Sequence, residues 1–145
     1  MMTNTLTLAD VERISGRAAY EHLARDLAVP ILAGVQAQGD VIVVPCNATP
    51  GGGAVDVGPA GVDVVVALSD GRHAHTLIAP DGGCTVRVVP DDARRNGSLT
   101  LAIVDATAPV YLLHAEHGAS GLAPGRYELR GQRVWDAAEA RRVAD

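Results

Sequence analysis

From residue 41 onward the chain is a succession of short apolar runs, broken about every ten residues by glycine, proline or aspartate. The expected strands cover 41–45, 62–68, 73–78, 84–89, 99–104 and 110–114, and a last one over 126–135 in which Tyr127 and Leu129 alternate with Arg126, Glu128 and Arg130. Most contain valine, a β-branched residue that suits strands. The run 84–89 alternates cleanly, with Cys84, Val86 and Val88 on one face and Thr85 and Arg87 on the other. Residues 47–61, rich in glycine and proline, read as loops around one brief strand. This punctuation predicts a mainly β protein: a small β-sandwich or barrel of about seven to nine short strands.

The core of such a domain has to be aliphatic. Aromatic residues are 3% of the chain, namely Tyr20, Tyr111, Tyr127 and Trp135, with no Phe. Val, Leu, Ile and Ala therefore fill the interior, and β-branched residues of this kind suit strands. Only the first 30 residues read as helical. Thr7 followed by Asp10 resembles a capping box. Val11, Ile14 and Ala18, then Tyr20, Leu23 and Leu27, keep helical spacing, with Gly16 breaking or weakening the pattern and Pro30 ending it. The expected organisation is a helical arm over 1–35, a β-domain over 36–135 and a polar tail over 136–145. The arm docks on its own domain or on a neighbouring copy, and the first is preferred.

Charge and length narrow the function classes. The 145 residues carry a net charge of −5, without the basic patch of a nucleic-acid binder. No apolar run approaches the ~20 residues of a membrane span. The start of the chain has no basic region followed by an apolar one, as a secretory signal would, so the expected location is cytoplasmic. Cys46 and Cys84 are too few for a disulfide framework, and small buried hydrophobes are the better reading of both.

Four of the five histidines fall in two tight pairs. His73-Ala74-His75 lies on an expected strand, where residues two apart share a face. His114-Ala115-Glu116-His117 lies where a strand runs into a turn, and a tight turn brings both of its rings together. If the two strands are neighbours, three or four imidazoles meet. Neutral imidazole suits Zn, Fe, Ni or Cu, so His73, His75, His114 and His117 are candidate metal ligands and a transition metal is the cofactor they imply. Glu116 is a candidate ligand, orienting carboxylate or general base. The bland alternative is that these are polar residues at strand ends, organising turns. Neighbouring motifs fail: the H-x-E of a zinc deaminase lacks its P-C-x-x-C partner, and no H-E-x-x-H is present.

Two resemblances follow from these residues. In outline, His73, His75 and the later His114 resemble the cupin-like β-barrels, which implies a metal held by histidines. The glutamate those proteins carry after H-x-H is missing from 76–80, as is a glycine ahead of Pro109. A more literal similarity, over residues 36–145, is to a group of small bacterial proteins of uncharacterised function. It rests on Gln38-Gly39-Asp40-Val41, Gly71-Arg72-His73-Ala74-His75, His114-Ala115-Glu116-His117, Pro124-Gly125-Arg126-Tyr127, Gln132-Arg133 and the closing Val143-Ala144-Asp145. Arg72 and Val134 depart from its pattern. This resemblance implies a shared fold and places the four histidines inside a shared pattern, without implying an activity.

Arg126, Arg130 and Arg133 form a positive stripe on the last strand. It reads as a solvated edge or as a contact to an acidic partner or subunit. Trp135, beside it, seals one end of the core or sits in an interface. Two functions stand against each other. One is a self-assembling or adaptor module, a homo-oligomer or a docking piece for a larger protein, as in particles of phage-like or mobile-element origin. The other is a metal-binding, cupin-like protein with an enzymatic reaction left open. The scarcity of catalytic signatures favours the first.

Overall fold

The computed structural model describes residues 6–19, 25–58, 63–69, 73–90 and 99–131. In the N-terminal arm, helix covers less of the described residues than the periodicity of Val11, Ile14 and Ala18 predicts. Helix α1 spans Leu8–Ser15. Thr7 caps it as expected: the Asp10 amide donates to Thr7 Oγ1 at 3.1 Å and the Thr7 amide donates to Asp10 Oδ2 at 2.9 Å. Gly16 stops it, taking the left-handed conformation (φ 72°) and donating its N–H to the Glu12 carbonyl. Residues 25–29 then run back beside the start of the arm, with Val29 N–H on the Leu6 carbonyl and a bridge between Thr7 and Ala28. Glu12 ties this return, accepting from Arg25 at 2.8 Å and from the Ala19 amide at 2.7 Å. Of the expected helical arm, the described residues hold one short helix and a non-helical return over 25–29, while Tyr20 and Leu23 of the expected spacing lie outside the described residues.

Eleven strands follow among the described residues: β1 Ile31–Leu32, β2 Gln36–Gln38, β3 Val41–Pro45, β4 Val55–Val57, β5 Val64–Ser69, β6 His73–Ile78, β7 Cys84–Val88, β8 Thr100–Ala106, β9 Val110–His114, β10 Gly118–Leu122 and β11 Gly125–Gly131. They form two sheets, a five-stranded one in the order β1-β10-β9-β6-β5 and a six-stranded one in the order β2-β3-β11-β8-β7-β4. The protein is a β-sandwich. The excess over the expected seven to nine comes from strands that leave little sequence signal. β1 and β2 are two and three residues long, and β10 is the glycine-containing segment GASGL. All are held by pairing: β1 runs parallel to β10, β10 antiparallel to β9, and β2 antiparallel to β3.

The main core lies between the sheets and is aliphatic. Val41, Val43, Leu77, Val86, Val104, Val110, Leu112, Leu122 and Leu129 are buried there with Tyr127, whose hydroxyl donates to the Ala123 carbonyl at 2.6 Å. A second cluster covers the outer face of the five-stranded sheet. There Leu8, Val11, Ala19 and Val29 of the arm pack on Ile78, Tyr111 and Leu113. The arm therefore docks on its own domain. Strand β9 is buried on both sides as a result, with Val110 and Leu112 inward and Tyr111 and Leu113 beneath the arm.

Candidate functional site

The alternation that builds the core also places the polar groups. On β6, His75 lies two residues before core Leu77. On β9, His114 lies two residues after core Leu112. Both therefore point between the sheets. β6 and β9 pair antiparallel, Thr76 opposite Leu113, which carries the two histidines alongside each other. Their ring centroids are 4.3 Å apart. The turn after β9 brings the exposed His117 ring onto His114, centroids 4.7 Å apart. Three of the four paired histidines thus form a row from the buried interior to the surface. His73 opens β6 opposite Ser69, and its side chain lies outside the described residues.

The opposite sheet supplies what the row touches. Gln38 ends β2 opposite core Val41, is buried, and crosses to the five-stranded sheet. Its Nε2 donates to the Leu112 carbonyl at 2.7 Å and the Ser120 hydroxyl at 3.1 Å, with the Gly118 carbonyl at 3.3 Å. That fixes the amide, so its Oε1 faces His75 Nδ1 at 2.9 Å. An oxygen there only accepts, which assigns the proton to Nδ1. The other ring nitrogen, Nε2, stands 3.0 Å from Asp40 Oδ1. Burial pushes the His75 imidazole below its ordinary range, and the neighbouring His117 adds to this. The hydrogen bond and charge of Asp40 oppose both.

Gly39 lies between those partners with φ 58°. A Cβ added there would lie 2.7 Å from His117 Nε2 and Cδ2, so the backbone passes directly under the His117 ring. His114 Nδ1 accepts the Glu116 amide at 3.1 Å, closing the turn after β9. Glu116 itself is exposed. Each residue of Gln38-Gly39-Asp40 therefore meets a histidine ring or its neighbour, and the turn between β2 and β3 is fastened across the sandwich.

Sequence reasoning recognised the histidines and missed Gln38, Asp40 and Ser120. Residues 38–40 entered as part of the Gln38-Gly39-Asp40-Val41 motif of the resemblance, which gave them no role. The available signal was the two-residue turn Gly39-Asp40, which sets Gln38 directly opposite inward Val41 and so aims a polar side chain at the core. Among the described residues, no three His, Cys, Asp or Glu side chains stand where together they hold a metal ion. Of the arginine stripe, Arg126 lies 3.7 Å from Asp105 and Arg130 3.8 Å from Glu128. Glu128 also accepts from the Thr100 hydroxyl. Arg133 and Trp135 lie outside the described residues. Cys84 is buried, and burial pushes its thiol up to about 12, which makes it inert at neutral pH. Cys46 is half-buried.

The sequence model of a family described as "Domain of unknown function (DUF8820)" matches residues 37–132. The chain belongs to this family. The DUF8820 match spans both histidine pairs and begins at the Gln38–Asp40 turn, while the arm over 6–30 precedes it. No curated protein and no solved structure matches the chain. Among the described residues, no helix is long and apolar enough to cross a membrane.

Proposed function

We propose that this chain is a non-catalytic β-sandwich module that works by self-association. The observation that carries this reading is the inward use of the polar cluster. Both ring nitrogens of His75 and the amide of Gln38 are turned to other protein groups, and they fasten one sheet to a turn of the other. A catalytic base needs a nitrogen aimed at a cleft where a substrate sits. Here the polar groups meet each other.

The outer surface supports association. β1 and β2 are the terminal strands of the two sheets on one flank, joined through residues 33–35. Leu32 and Val35 in this stretch are 47% and 67% exposed. Short strand edges with apolar side chains beside them suit pairing with an identical edge, because an antiparallel pair of identical strands is two-fold symmetric. Light scattering on the eluted protein gives the test. The expected mass is a multiple of 14.9 kDa that falls to the monomer in a Leu32→Lys, Val35→Lys variant. A monomer at every concentration overturns the reading. The competing reading, a metal-dependent activity, requires a metal whose removal abolishes turnover without changing the mass.

A further inference from the structure

We propose that the row of His75, His114 and His117 is an acid-sensitive switch: taking up protons, it releases β2 and the β2–β3 turn from the five-stranded sheet. The cluster that fastens the sheets at neutral pH is then also the place where acid parts them.

The argument starts from what covers the row. His75 and His114 are buried with ring centroids 4.3 Å apart, and the exposed His117 ring lies 4.7 Å from that of His114. Imidazoles this close oppose each other's charge, so the packed row does not take up protons at every ring. Its lid is one hairpin. Gln38 Oε1 lies 2.9 Å from His75 Nδ1, Asp40 Oδ1 lies 3.0 Å from His75 Nε2, and the Gly39 backbone passes under the His117 ring. The floor is firm: β6 and β9 are interior strands of their sheet, and the arm packs on β9. The lid is slight, because β2 is a three-residue terminal strand whose sheet neighbour is β3. Local opening takes the least secured element, and here that is the lid.

Among the described residues, the titratable groups at the row are Asp40 on the β2–β3 turn, His114 on β9, and Glu116 and His117 in the turn after β9. Strands β3, β5 and β10 bring none. Burial disfavours a second proton on His75 and His117 adds to this, together outweighing the Asp40 carboxylate. A ring released to water titrates near its ordinary value of about 6.5. Below that pH the opened form binds more protons than the packed one, so closure is fully favoured above about 6.5 and loses ground as pH falls. β2 is also a terminal strand of the flank assigned to self-association. Acid release of β2 therefore disassembles the oligomer, a consequence that rests on the association reading.

The switch is tested in the full chain carrying Leu32→Lys and Val35→Lys, so that association plays no part. Amide protection of residues 36–43, corrected for the intrinsic exchange rate, is followed from about pH 7.5 to about pH 5, the range in which histidines titrate. These amides lose protection while β8 and β11 keep theirs. Two added variants separate a switch from a prop. Asp40→Asn lowers the titration of His75, read from its nitrogen-15 ring shifts, and moves the loss of protection to higher pH. His117→Gln raises that titration and moves the loss to lower pH. Protection that stays constant over this range overturns the proposal, and so does a shift to higher pH in both variants, the mark of a side chain that only props the turn. The oligomeric mass of the chain without the lysine substitutions, measured at both ends of the range, tests the consequence. A fall toward the monomer at the acid end supports it, and an unchanged oligomer with an opened turn overturns it. A monomer at both ends counts against the association reading alone, and the exchange result still decides the switch.

Discussion

At the scale of single residues, the fold depends on a few polar groups placed where an aliphatic core ends. Gln38 is the most exacting. Replacing it by Leu keeps the volume but leaves the Leu112 carbonyl and His75 Nδ1 without their buried amide partner. An unsatisfied buried group costs about 1–3 kcal/mol, so Gln38→Leu is expected to destabilise by roughly 2–3 kcal/mol. Urea unfolding gives this directly, and a change under about 0.5 kcal/mol, the scatter of an ordinary surface substitution, contradicts the role assigned to the amide. Gly39→Ala tests the backbone beside it. The left-handed conformation costs a residue with Cβ about 1–2 kcal/mol, and the new methyl displaces the His117 ring. A lower melting temperature with a changed His117 resonance is expected, and an unchanged His117 resonance shows that the ring is not seated on Gly39.

At the scale of elements, the strands were legible where alternation was strong and illegible where pairing alone makes a strand. β3, β6, β7 and β9 follow from their apolar runs. β10 does not, because Gly118-Ala119-Ser120-Gly121 has no strand propensity of its own and is extended by its ladder to β9. The helical arm was legible as far as Gly16, and Tyr20 and Leu23 of its second half lie outside the described residues. Its periodicity continues past Gly16, but the left-handed cap ends the helix, and the Glu12–Arg25 pair folds the chain back. The histidine pairs were visible as spacing, while the crossing of Gln38 and Asp40 from the other sheet is a tertiary fact.

The arm also carries an acid sensitivity. Burial raises the Glu12 carboxyl, yet the hydrogen bonds from Arg25 and the Ala19 amide outweigh it and hold it below its ordinary value. Asp10 is held at about 2, chiefly by the Thr7 amide and then by Arg13. A carboxylate depressed in the folded state contributes stability above its unfolded value and loses it as pH falls through the folded one. The arm is therefore expected to loosen below about pH 4, where unfolded carboxyls begin to protonate. Amide exchange of residues 8–15, compared with that of β8 and β11 between pH 5 and pH 2.5, measures this. Equal loss of protection in arm and sheets counts against a local effect.

At the scale of the molecule, two cores share one sheet, and they are not equivalent. The inner core joins the two sheets through residues 41–129 and contains no arm residue. The outer core exists only where the arm lies on Ile78, Tyr111 and Leu113. The DUF8820 match begins at residue 37, past the arm, in keeping with a sandwich that is complete without it. Removing residues 1–30 is then expected to leave the strand ladder folded while uncovering an apolar sheet face. Large uncovered faces of this kind bind hydrophobic dyes and drive association. The truncated chain should keep slow amide exchange in β8, β9 and β11, bind such a dye where the intact chain does not, and associate in a second mode added to that of the β1–β2 flank. The Leu32→Lys, Val35→Lys substitutions separate the two modes: in the intact chain they abolish association, and in the truncated chain they leave the arm-dependent part. If the truncated chain instead loses all slow exchange, the arm belongs to the folding core, and the sandwich and its cover are one cooperative unit.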